Sequence, residues 1–112
     1  MSQTQILGPS NEVPFTNTTG APIPGGTPVQ LPDGRAAILN RVRPVEDGET
    51  ATAVTGKRVT LDSDPAAEFA AGADVSWSNA DAEANTAGDF VAGKAFAAKA
   101  AGVTTVTVIV PF

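Results

Sequence analysis

The chain has no cysteine, no histidine and no tyrosine, and it carries one tryptophan and one methionine among 112 residues. Without cysteine a disulfide framework is excluded. Histidine and cysteine between them would supply the commonest general base, the commonest metal ligand and the thiol nucleophile. Their absence points to a protein that is not an enzyme and that needs no metal and no cofactor. No window approaches the roughly 18 apolar residues of a membrane span, and Met1 to Gln5 offer neither the basic nor the apolar region of a secretory signal. The sequence therefore predicts a soluble, unexported protein with no membrane partner. Seven basic residues against twelve acidic ones leave a net charge of −5. Affinity for nucleic acid comes mainly from clustered Lys and Arg on phosphate, so DNA or RNA is not the expected partner. Arg35, Arg41, Arg43 and the pair Lys57-Arg58 are scattered in the way of a solvated surface.

Alanine, threonine and glycine are abundant, and such a composition suits short strands joined by tight turns. The stretch from Gly48 to Leu61 reads as strand throughout, opened by the turn signal Asp47-Gly48. Its apolar phase slips, however, with Val54 on one face by strict alternation and Val59 and Leu61 on the other. Gly56 lies between them, and a bulge or sharp bend there would restore the phase. About two-thirds of the unfolded surface can be buried by a chain of this length, enough for one core without staples.

Residues 1–12 read as an extended N-terminal arm, polar except for Ile6 and Leu7, with Pro9 ruling out a regular helix. The β-rich domain follows over residues 13–112. Val13 to Thr19 reads as a short strand, and Pro14, which has no N–H to give to a ladder, argues for a sheet edge. Ile23, between two prolines, reads as a buried plug. Thr27 to Leu31 and Arg35 to Leu39 form two strands of a hairpin turned by Pro32-Asp33-Gly34. Asp64-Pro65 resembles a helix start, which predicts one or two helical turns over Ala66 to Ala71 that use Phe69 as a plug. Val75 and Trp77 share one face of a strand, and Asn79 to Gly88 reads as a polar loop. Phe90 to Ala101 reads as strand, with Gly93 at a bend, and Val103 to Val110 as strand with Val106, Val108 and Val110 on one face. The fold class expected is mostly β, a small β-barrel or β-sandwich of short strands with at most one short helix.

Paired carboxylates are the remaining route to chemistry. Asp62/Asp64 and Asp81/Glu83 have the spacing to share a face, but both flank turns, and Asp62-x-Asp64 lacks the further ligands of a calcium loop. Gly20 to Gly26 has neither the Lys-Ser/Thr of a phosphate loop nor a dinucleotide fingerprint. Asn17-Thr18-Thr19 fits a glycosylation acceptor by coincidence. Trp77 reads as core or interface before it reads as a ligand platform.

Several segments together resemble the tailed-phage capsid cement, or head decoration, family: Phe15 to Gly20 followed by Ile23 to Val29, Asp47-Gly48-Glu49 leading to Val54-Thr55-Gly56, Ala71 to Trp77, Gly93-Lys94-Ala95, and Thr104 to Val108. The likeness runs from about Val13 to the end and leaves the arm outside it. It implies a small β-barrel-like domain on the outer surface of an icosahedral head in the virion, made in the host cytoplasm, with the major capsid protein as partner. A homo-oligomer is expected, a trimer fitting local threefold positions. The residues expected to contact capsid or sister subunit are Ile6, Leu7, Pro9, Val13 and Trp77. An arm of this length reaches roughly 40 Å when extended, enough to lie across a neighbour and add a strand to an exposed edge. The rival readings are a carbohydrate-binding module and a tail or neck structural protein of a phage.

Overall fold

The computed structural model describes residues 12–111. Nine strands make two antiparallel sheets, and there is no helix among the described residues. The first sheet has the order β1-β4-β3-β2, from β1 (Glu12–Thr16), β2 (Pro28–Gln30), β3 (Ala36–Leu39) and β4 (Thr50–Val54). The second has the order β5-β9-β8-β6-β7, from β5 (Arg58–Asp62), β6 (Asp74–Ser78), β7 (Glu83–Asn85), β8 (Phe90–Ala95) and β9 (Thr105–Ile109). Neither sheet closes into a barrel, although the second curls until a parallel bridge, Ser63 to Ala84, links the ends of its two edge strands. Glu12, assigned to the arm by sequence, is the first residue of β1 and stands opposite Val54.

The phase slip around Gly56 has a larger structural meaning than a bulge. β4 ends at Val54 in one sheet and β5 begins at Arg58 in the other, with Gly56 at φ +66° between them. The stretch that reads as one strand is two, and a left-handed glycine makes the corner at no steric cost. The Asp33-Gly34 hairpin forms as expected, closed by Leu31 N donating to Arg35 O at 2.7 Å. The Asp47-Gly48 turn also forms, with Glu49 N donating to Glu46 O and Gly48 at φ +80°.

Two expectations are corrected. Residues 66–71 are not helical, because their backbone is engaged elsewhere: Phe69 and Lys99 exchange both backbone hydrogen bonds, and Gly72 N donates to Ala95 O. The Lys99 ammonium, on a side chain only 5% exposed, donates to the carbonyls of Asp64, Ala67 and Ala100, two of which would have served a helix. Phe69 is nonetheless buried in the core, as a plug should be. Within the expected polar loop, Glu83–Asn85 forms β7 and pairs with β6, because Ala84 between its polar neighbours buries fully against Trp77.

The apolar side chains divide into two clusters. The larger fills the curl of the second sheet with Leu61, Phe69, Val75, Trp77, Phe90, Val106, Val108 and Val110, and extends to Ala36, Ile38 and Val54 of the first. The smaller lies on the other face of the first sheet, where Val29, Leu31, Ala37, Leu39 and Ala53 pack under the loop residues Val45 and Ile23. β3 is therefore buried on both faces and joins the clusters, which its four consecutive apolar residues allow. Val106 and Val108 alternate inward in β9 and Val110 continues the phase. Gly93 sits beside a bulge in β8, where Ala92 is the extra residue opposite the Val75–Ser76 step of β6, and a Cβ on it would lie 2.2 Å from Ile109 O.

Candidate interaction surface

Of the five residues expected to make contacts, Ile6, Leu7 and Pro9 lie outside the described residues. Val13 is half-buried in β1 and packs against the smaller cluster, so its side chain serves the fold. Trp77 is 5% exposed, its ring in the larger cluster, and its buried Nε1 has no acceptor. The structure thus places Val13 and Trp77 in separate cores. A cleft of about 720 Å3 lined by Trp77 and Phe90 also touches both edge strands of the first sheet.

The hydrogen-bond phase of those edges decides what they can receive. Leu39 N donates to Thr27 O and Leu31 N to Arg35 O, so by alternation Pro28 and Gln30 turn their backbone polar groups outward. In β1, Asn17 N donates to Glu49 O, which by the same alternation turns Glu12, Pro14 and Thr16 outward. Each open edge therefore has a proline, Pro14 or Pro28, where a docking strand would need an N–H. Such prolines protect an edge against strand addition.

Asn17 is the polar residue that sequence reasoning undervalued. It is fully buried, and its Nδ2 donates to Ala21 O at 2.7 Å and Val45 O at 2.9 Å. Its Oδ1 accepts from the backbone N–H and the hydroxyl of Thr19. An amide so occupied is not a glycan acceptor. The signal was present in Asn-x-Thr, a local turn pattern in which the Asn side chain folds back on its own backbone.

Charged groups are mostly spoken for. Arg41 grips the carboxylate of Glu49 with both terminal nitrogens and also donates to Pro44 O. That grip, reinforced by the Glu46 N–H, holds the Glu49 carboxyl down at about 2. Arg43 lies 3.7 Å from the same carboxylate, and Arg35 pairs with Asp33. The carboxylates read from sequence are engaged in turns: Asp64 accepts from Ala66 N and from Asn85 Nδ2, and Asp81 accepts from Ser78. Glu83 is pushed above its ordinary value, first by burial and then by the charges of Asp64 and Asp81. Among the described residues no group of three or more such side chains is placed to hold a metal ion.

The surface offers apolar contact instead. Val42 is fully exposed at a loop tip braced by Arg41, and Val91, Phe96 and Ile109 are nearly half exposed on β8, β9 and the residue just after β8. A family model described as phage cement protein matches residues 8–110. The chain belongs to that family. The match begins earlier than the resemblance read from sequence and takes in Pro9 and Val13, leaving Ile6 and Leu7 outside. A phage cement protein is a structural component of the virion associated with the capsid, which agrees with an all-β fold built around packing contacts. No curated protein and no solved structure matches the chain.

Proposed function

We propose that this protein binds the outer surface of a phage capsid, through the major capsid protein, and stabilises the head. The observation that carries the reading is the family match over residues 8–110. The fold is in keeping with it: short strands, glycine corners and a doubly buried β3 make a small rigid unit. A shell strained by packaged DNA is held by many copies of a modest contact, which needs rigidity and multivalency rather than chemistry. Assembly as a homo-oligomer, a trimer at local threefold positions, belongs to the same proposal.

Ile6 and Leu7 are proposed to anchor the N-terminal segment. Of the two surfaces that could receive it as an added strand, a capsid edge is favoured over the first sheet of a sister copy, whose open edges are blocked by Pro14 and Pro28. Glycan binding finds no support in Trp77, whose ring is 5% exposed and offers a sugar no face for stacking. The test is co-sedimentation of purified protein with undecorated heads of its phage, before and after expansion. Saturable binding at the number of local threefold positions is expected. Deletion of residues 2–11, which leaves β1 whole, is expected to abolish binding without unfolding the protein. An absence of pelleting on either form of the head would overturn the proposal.

A further inference from the structure

One row of paired residues crosses four strands of the second sheet on its outer face: Arg58, Ile109, Lys94 and Asp74. All four are exposed. Phe96, two residues beyond Lys94, lies beside this row with its ring 4.7 Å from the Arg58 guanidinium carbon. Phe96 is 49% exposed and Ile109 44%, two of the five exposed large hydrophobic residues among those described, and Phe96 N donates to Thr107 O, two residues from Ile109. Arg58 has a ring as its partner where Arg35, Arg41, Arg43 and Lys94 each have a carboxylate. Exposed Lys57 stands next to it. Asp74 is bound to Lys94, and Asp62 lies at the other end of β5, about 13 Å away at the rise of a strand.

We propose that this face, centred on Arg58, Phe96 and Ile109, is the one that seats on the shell, and that it recognises an acidic surface bearing an apolar hollow. The inference rests on the capsid-binding reading above. Its warrant is charge: the molecule carries −5, so an acidic partner is repelled by the protein as a whole and admitted where, among the described residues, no carboxylate pairs with Lys57 or Arg58. A guanidinium already stacked on an aromatic ring keeps its N–H edges for a carboxylate and has little side-chain freedom left to lose. Twofold pairing of this face with the same face of a second copy is disfavoured, since it would bring Lys57, Arg58 and Lys94 near their own images. The outer face of the curled sheet also suits rigid docking, because its rows are held by ladders and not by loops.

The experiment is binding of the full chain to undecorated expanded heads, by co-sedimentation across a salt series, with Arg58→Glu, Phe96→Ala and, as a control at the hairpin, Arg35→Glu. Thermal melts establish that each variant is folded. Expected are a loss of affinity of about tenfold or more for Arg58→Glu and Phe96→Ala, little change for Arg35→Glu, and wild-type binding that weakens as salt rises. Wild-type binding matched by folded Arg58→Glu and Phe96→Ala would overturn the assignment of this face and leave the capsid reading standing. Failure of the wild-type protein to bind would overturn both. Sedimentation velocity separates the remaining occupant: if Arg58→Glu dissociates an oligomer while its protomers still bind heads, the face belongs to a second copy and the proposal fails.

Discussion

Asn17 and Glu49 each hold together segments far apart in the chain. Replacing Asn17 by Ala removes one of the two donors to each of the carbonyls of Ala21 and Val45, which keep the Thr19 hydroxyl and the Ile23 N–H, and takes the acceptor from the Thr19 N–H. Four hydrogen bonds of a fully buried amide are lost together, so Asn17→Ala should lower stability by about 2–3 kcal/mol in urea unfolding. Glu49 makes its contribution pH-dependent. Its folded-state value, about 2, lies below the ordinary 4.5, so the stabilisation is fully present above 4.5 and is lost as the pH falls through about 2. The wild-type melting temperature should fall over that window more steeply than that of Glu49→Gln. The role of Glu49 was not legible beforehand: Arg41 and Glu49 are eight residues apart with no shared periodicity, and their meeting depends on the turn at Gly48. Lys99 was equally opaque, since an ammonium among alanines gives no sign that three carbonyls await it.

Strands were readable wherever alternation was strict. Val75 with Trp77 and Val106 with Val108 point inward as their period demands, and Asp33-Gly34 turns the hairpin it signals. What failed was reading that depended on partners. The Asp64-Pro65 start signal lost to the bridge between Phe69 and Lys99, a long-range pairing that local propensity does not contain. β7 went unnoticed because a three-residue strand has no period to show. Gly93, expected at a bend, lies beside the bulge in β8, and its reason is steric: a Cβ would sit 2.2 Å from Ile109 O and 2.8 Å from a Val108 methyl. Gly93→Ala should push β8 from β9 and destabilise by about 1–3 kcal/mol or more, seen as a lowered urea midpoint with early loss of amide protection in those two strands. Of the candidate site, the sequence marked Trp77 as core or interface, which its burial bears out. It could not mark Arg58 with Phe96, because 38 residues part them and only the order β5-β9-β8 brings them together.

The described residues make two sheets, each contiguous in sequence, and among them the only strand-to-strand passage between the sheets is the corner at Gly56. Ile38 is the largest side chain of β3 that reaches across into the larger cluster. Ile38→Ala should cost about 2–4 kcal/mol and should also reduce the urea m-value, because the sheets would part before both have melted. The reverse substitution pattern, on exposed Val42, should leave the unfolding curve within about 0.5 kcal/mol of wild type.

The single corner also bears on how the protein is made. Every ladder of the first sheet and every member of the smaller cluster lies within residues 12–54. A ribosome has therefore synthesised a complete sheet with its own small core before it begins β5. A nascent chain stalled with residue 54 clear of the exit tunnel should already protect its hairpin from protease. Until the second half emerges, however, Ala36, Ile38 and Val54 face water, and that interval is when the newborn chain most needs a chaperone's cover.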